Sequence, residues 1–119
     1  LGELVDKISI LIVKKKNIDD QNKLIQVNKE LKFLQETLIK YVNKNEIQNY
    51  LDNLIDINSK LWVIEDDIRE CERKKKFDEK FIELARSVYF TNDKRANIKL
   101  TINKNFGSEL VEVKSYEGY

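Results

Sequence analysis

The chain of 119 residues is long enough for one domain, residues 1–119, and too short for two ordinary ones. Its hydrophobic fraction of 41% provides for a core, while a charged fraction of 36% and the absence of proline favour helices with narrow apolar stripes. A net charge of +1 argues against a nucleic-acid partner, and the lack of a long apolar run argues against a membrane partner. The absence of histidine excludes histidine-based catalysis. A single cysteine excludes an internal disulfide and favours the cytoplasm.

The first predicted helix spans residues 2–17. Its apolar residues recur at steps of three and four, as one face of an amphipathic helix requires, and three lysines near its end complement the helix dipole. In the turn that follows, Asp19 or Asp20 is expected to cap the second helix, residues 20–42. The apolar stripe of the second helix is the most regular in the chain and consists of Leu24, Val27, Leu31, Leu34, Leu38 and Val42.

The third predicted helix spans residues 46–75. Two carboxylates interrupt its apolar seam, which predicts that Glu65 points inward, with Arg69 one turn later as its ion-pair partner. Cys71 lies one position off the seam. The seam alternates steps of four and three through Ile47, Leu51, Leu54, Asn58, Leu61, Glu65, Ile68 and Glu72.

The fourth predicted helix spans residues 78–106, with Gly107 as its C-terminal cap and residues 108–119 as an extended arm. Because the connections are short, the sequence predicts an all-α, antiparallel four-helix bundle with long third and fourth helices. Since these two helices outrun the first, we expect a homodimer. The apolar stripe of the fourth helix consists of Phe81, Leu84, Ala85, Val88, Ile98, Ile102 and Phe106.

Several polar residues are expected at one level of the bundle. Counting back from each turn places Glu3, Asp6 and Lys7 beside Asn58 on the third helix and Arg95 on the fourth. The sequence therefore predicts a polar cluster between helices. The candidate ligand-binding residues are Glu3, Asp6, Lys7, Asn58, Glu65, Arg69, Asn92, Arg95 and Lys99.

Two functions are consistent with such a cluster. In the first, opposite charges pair across the seam to set the helix register, and the protein is a non-catalytic binding module with an exposed apolar patch. In the second, the protein is an enzyme that binds an anionic or phosphorylated small molecule, resembling either a metal-dependent pyrophosphohydrolase or a metal-free mutase. Glu3 and Asp6 have the spacing of a Mg²⁺ pair, but the fuller E-E-x-x-E pattern is absent, so no cofactor is the first expectation.

Five sequence blocks add a resemblance. They resemble the signature blocks of a family of small bacterial and viral proteins with a domain of unknown function. The blocks are GELVDKISIL, LWVIEDDIRECE, FIELARSVYFTNDKRANIK, the pair Ile102 and Asn103, and VEVKSY. The resemblance implies neither an activity nor a cofactor, but it does imply that the polar residues of these blocks are the ones of interest. They are Glu3, Asp6, Lys7, Glu65, Asp66, Arg69, Arg86, Tyr89, Asn92, Asp93, Arg95 and Lys99.

Overall fold

The computed structural model describes residues 1–106, which form four α-helices joined by short turns. Helix α1 spans Gly2–Asn17, α2 spans Gln21–Leu38, α3 spans Lys44–Lys74 and α4 spans Glu79–Asn105. The predicted all-α bundle with long third and fourth helices is confirmed. None of these four described helices combines the length and the apolar character needed to cross a membrane. The predicted cap at Gly107 and the arm at 108–119 lie outside the described residues.

Helix α1 is the centre of the bundle. It packs against each of the other three helices and α3 packs against α4, whereas, among the described helices, α2 packs only against α1. Because α1 has neighbours on three sides, Asp6 and Ser9 are buried along with its apolar residues. The sequence pattern assumed a single apolar face and therefore did not single out Ser9.

The hydrophobic core lies between α1, α2, the first half of α3 and the end of α4. At that end, Phe106 packs edge-on against the Tyr50 ring, with 5.7 Å between ring centres, and Asn105 Nδ2 donates to Tyr50 Oη at 2.7 Å. These contacts join the end of α4 to α3. The buried residues of the core are Val5, Ile8, Leu11, Val27, Leu31, Leu38, Ile47, Leu54 and Ile102.

The helix boundaries follow from local hydrogen bonds. Asp20 caps α2, as predicted, because its carboxylate accepts from the backbone amides of Asn22 and Lys23 at 2.9 and 3.2 Å. The predicted end of α2 at residue 42 is wrong, since the helix ends at Leu38. Val42 continues the apolar spacing and packs against the core from the following turn, so the pattern runs past the helix.

The turn between α3 and α4 contains a residue in the left-handed conformation. Lys75 has φ 51°, its backbone N–H donates to Glu72 O at 3.1 Å, and the N–H of Lys76 donates to Cys71 O at 3.0 Å. This is the Schellman arrangement, in which glycine is the usual residue. Asp78 then caps α4 by accepting from the amide of Phe81 at 3.4 Å.

The lower half of the α3 seam differs from the prediction. Glu65 and Glu72 are exposed, whereas Cys71 is buried. Two heptads of a straight α-helix move the inward face by only about 40°, less than the roughly 100° between Glu72 and Cys71, so helix drift does not explain the difference. The core that α3 shares with α1 and α2 involves only its first half, so the inward face changes along α3 with its neighbours. The predicted partner of Glu65 is also wrong, because Arg69 donates to Asp66 at 3.2 Å. On α4, Ala85 was placed on the apolar stripe but is exposed.

Candidate functional site

A buried carboxylate lies at the centre of the polar cluster. The Asp6 side chain on α1 is only 3% exposed, and both of its oxygens have partners on other helices. Oδ1 accepts from Asn58 Nδ2 at 3.0 Å. Oδ2 accepts from Arg95 Nε at 3.1 Å and lies 2.9 Å from Arg95 Nη2. A buried carboxylate is stable only when it is paired in this way, so Asp6 joins α1 to both α3 and α4.

Ser9 and Asn58 complete the buried side of the cluster. The Ser9 hydroxyl donates to the backbone oxygen of Asp6 at 2.6 Å and accepts from Asn58 Nδ2 at 2.7 Å. The two N–H donors of Asn58 are therefore both used, one on Ser9 and one on Asp6. This arrangement fixes the position of α3 relative to α1.

The two cations of the cluster come from α4 and reach toward solvent. The side chains of Arg95 and Lys99 are 28% and 21% exposed. Lys99 Nζ forms an ion pair with Glu3 and lies 3.7 Å from Asp6 Oδ2, and Arg95 Nη1 donates to Asn92 Oδ1 at 3.5 Å. Two carboxylates thus balance two cations, and the cluster is formally neutral.

The start of α1 approaches α4 closely at the edge of the cluster. A Cβ at Gly2 would lie 2.5 Å from the backbone oxygen of Lys99, so only glycine fits there without a shift. The backbone amide of Gly2 donates to Asn103 Oδ1 at 2.7 Å. Asn103 on α4 therefore caps α1, whose own N-cap residue provides no side-chain hydrogen bond.

A groove runs along α1 between α2 and α4. It has a volume of about 610 Å³, and its lining includes Glu3, Asp6, Lys7 and Arg95. The groove exists because α2 and α4 both pack on α1 without touching one another. Lys7 spans part of it by pairing with Glu30 on α2 at 3.4 Å, with both side chains exposed.

The structure brings together most of the predicted site residues. Two predicted members lie elsewhere: Glu65 is exposed seven residues beyond Asn58, which is about 10 Å along α3, and Arg69 pairs with Asp66 on the surface. Ser9 belongs to the cluster and was missed, although a small polar residue between Ile8 and Ile10 was a signal. Lys7 lies at the edge. The predicted residues that form the cluster are Glu3, Asp6, Asn58, Asn92, Arg95 and Lys99.

The carboxylates of the cluster are arranged for cations of the protein itself. Glu3 pairs with Lys99, and both oxygens of Asp6 are engaged by α3 and α4. Mg²⁺ prefers free oxygen ligands in octahedral geometry, whereas here both Asp6 oxygens and Glu3 Oε1 already face groups of the protein. Across residues 1–106, no group of three or more His, Cys, Asp or Glu side chains is placed to hold a metal ion.

The surface outside the cluster is rich in apolar side chains. Among residues 1–106, ten large apolar residues are each at least half exposed, and six of them lie on α2 and α4. Isolated exposed apolar residues are ordinary on a protein surface, but a concentration of large ones indicates a binding face. The ten are Ile25, Phe33, Ile39, Tyr41, Val63, Phe77, Ile82, Tyr89, Phe90 and Leu100.

Comparison with known proteins adds nothing to this geometry. No protein-family model, no curated protein and no solved structure matches the chain. The resemblance to a family of small bacterial and viral proteins therefore stays a prediction from the sequence blocks, and function has to be argued from the polar cluster, the groove and the exposed apolar faces.

Proposed function

We propose that this protein is a non-catalytic helical interaction module that presents the outer faces of α2 and α4 to a protein partner. The observation that carries the proposal is the set of six large apolar side chains on α2 and α4 that are at least half exposed: Ile25, Phe33, Ile82, Tyr89, Phe90 and Leu100. Full burial of a fully exposed side chain of this kind stabilises by about 1.5–3 kcal/mol, and roughly half of that remains available for each of these half-exposed residues, so a partner that covers several of them gains affinity.

The polar cluster supports a structural role in such a module. The carboxylate of Asp6 and the amide N–H groups of Asn58 are occupied by one another and by Arg95 and Ser9. Polar groups that satisfy each other set the register of packed helices, and they leave few donors and acceptors for a substrate. In this proposal the cluster holds α1, α3 and α4 in place while the outer faces bind.

Site-specific photo-cross-linking tests the proposal. Benzoylphenylalanine replaces Phe33 on α2 or Tyr89 on α4, and, as a control outside both faces, the exposed polar Asp52 on α3. We expect discrete adducts from the two apolar positions and none from the control. Charge substitution about two turns from each probe, Ile25→Glu for α2 and Ile82→Glu for α4, should reduce the yield of the adduct. Equal labelling at all three positions would contradict an interaction surface.

The groove favours a second candidate, a small-molecule enzyme acting on an anionic or phosphorylated substrate. Arg95 and Lys7 line the groove beside Glu3 and Asp6, so cationic and acidic groups converge as a pyrophosphohydrolase-like or mutase-like site would need. One observation weighs against the enzyme: Arg95 and Lys99 already pair with the carboxylates of the cluster, so their charges are not free to bind an anionic substrate.

Thermal-shift measurements separate the two functions. The wild type and Lys7→Gln are melted with nucleotides, sugar phosphates or Mg²⁺, because a ligand at 100 times its Kd stabilises the native state by about 2.7 kcal/mol. Lys7 is exposed, so its substitution should leave the fold intact. The interaction module predicts no shift in Tm, whereas a rise that Lys7→Gln abolishes would support the enzyme.

A further inference from the structure

Helix α4 carries a second stripe on the side opposite its core face. The stripe follows steps of four and three through six positions, all of them exposed. This is the heptad spacing of a coiled-coil seam. The core-facing residues of α4, such as Ile98 and Ile102, lie on the other side of the helix. The outer stripe consists of Ile82, Arg86, Tyr89, Asp93, Ala96 and Leu100.

The two charged residues of the outer stripe have no ionic partner among residues 1–106. Asp93 makes no hydrogen bond or ion pair with any residue of 1–106. The Arg86 guanidinium lies 5.7 Å from the centre of the Phe90 ring and has no carboxylate partner among the same residues. Arg86 and Asp93 are seven residues apart, about 10 Å along the helix, which is too far for a direct ion pair. Each is therefore available to an opposite charge from outside.

We propose that the outer stripe of α4 is the contact surface of a symmetric homodimer in which two copies of α4 pack antiparallel. The inference rests on the proposed interaction function and names the partner as a second copy of this chain. The contact surface lies on α4 alone, and the outer face of α2 takes no part in the dimer.

The spacing of the stripe is self-complementary in the antiparallel direction. With a two-fold axis crossing α4 near residue 91, Leu100 of each copy faces Ile82 of the second copy, the apolar ends of the stripe. Arg86 then packs over the small Ala96 of the second copy and reaches Asp93 of that copy one turn away. The Arg86–Asp93 ion pair forms twice, once in each direction, as two-fold symmetry requires.

Aromatic residues occupy the centre of the same arrangement. Tyr89 and Phe90, 65% and 52% exposed, lie next to the axis, where Phe90 of one copy meets Phe90 of the second. Aromatic residues at the centre of an interface contribute most of the binding energy. The parallel alternative would place Arg86 against Arg86 and Asp93 against Asp93, and like charges in register repel. The charges thus select the antiparallel dimer.

Sedimentation velocity of the full chain tests the dimer through a charge exchange. The stripe from Ile82 to Leu100 is about 27 Å long, so we expect weak association, with a Kd on the order of micromolar. Arg86→Glu or Asp93→Arg alone should raise the Kd by about tenfold or more. The double variant Arg86→Glu/Asp93→Arg should restore it. The control is Ile25→Glu on α2, an apolar position as exposed as Tyr89 on the stripe. This substitution should leave the Kd unchanged.

Disulfide trapping tests the direction of pairing. In a Cys71→Ala background, a mixture of Ile82→Cys and Leu100→Cys chains should form the mixed disulfide in preference to either symmetric one. A parallel dimer would instead give the symmetric disulfides and would overturn the proposal. Circular dichroism checks that every variant retains its helices. We expect this because the positions on α2 and α4 are exposed and Cys71→Ala replaces a buried thiol by a smaller apolar side chain.

Three outcomes would overturn the dimer. The first is a wild type that stays monomeric up to several hundred micromolar. The second is a dimer whose Kd is unchanged by the single charge reversals. The third is a double variant whose Kd does not return to that of the wild type. If the chain is monomeric but a probe at position 89 still cross-links another protein, the dimer fails and the interaction function stands. If neither dimer nor adduct forms at α2 or α4, both proposals fail.

Discussion

The Asp6→Asn substitution isolates the electrostatic part of the polar cluster. Asparagine keeps the shape of the side chain but removes the charge that Arg95 and Lys99 face at 2.9 and 3.7 Å. Breaking a fully buried ion pair costs about 3–5 kcal/mol because it leaves a buried charge uncompensated. Here both cations keep about a quarter of their side-chain surface in water, so the expected loss of stability is smaller, about 2–3 kcal/mol.

Urea denaturation followed by circular dichroism measures this loss. For a chain of this size, a loss of about 2–3 kcal/mol corresponds to a fall in Tm of roughly 10 °C. The matched control is Asp56→Asn, which removes an exposed carboxylate that pairs with Lys60 at 3.1 Å. An exposed i,i+4 ion pair on a helix is worth about 0.3–0.5 kcal/mol, so the control should change the free energy of unfolding by no more than about 0.5 kcal/mol.

A double-mutant cycle assigns the effect to the pair itself. Asp6→Asn, Arg95→Gln and the double variant should give a coupling free energy of about 1–2 kcal/mol, because each single substitution already removes the shared contact. If the two effects simply add, or if Asp6→Asn is no worse than Asp56→Asn, the cluster does not hold the three helices together and its assigned role is refuted.

Three local predictions follow from backbone geometry and surface charge. Gly2→Ala should destabilise the protein by about 1–2 kcal/mol, because its Cβ would press on the α4 backbone; an unchanged Tm would contradict that close approach. Lys75→Gly should stabilise by about 0.5–1 kcal/mol by relieving the left-handed residue at φ 51°, measured as a higher urea midpoint; a lower midpoint would argue against it. The hydrogen bond from the Arg73 guanidinium lowers the pKa of Glu70 in the folded protein. The stabilisation by this hydrogen bond is therefore present above the pKa of Glu70 in the unfolded chain and is lost as the pH falls through its pKa in the folded protein. Arg73→Gln should raise the pKa of Glu70 in an NMR titration, while the distant Lys60→Gln should not.

The sequence alone determined the helices and much of the site. Steps of three and four predicted the stripe of α2, and Asp20 predicted its cap, because both depend on residues close together in the chain. Short turns force neighbouring helices to run antiparallel, so counting residues from the turns was enough to place Asp6 beside Asn58 and Arg95. Those three side chains do meet.

The number of neighbours around each helix was decided only by the tertiary structure. Periodicity shows which face of a helix is apolar, but it does not show that α1 has neighbours on three sides, and this is why Ser9 is buried there. The outward turn of Glu65 has the same origin. The heptad pattern assumes the same neighbours along the whole helix, but the core shared with α1 and α2 involves only the first half of α3, and beyond it Cys71 rather than Glu72 is buried. The spacing of residues along the chain therefore determined the helices and which residues lie at the same height in the bundle. The packing around α1 determined which polar side chains are buried together.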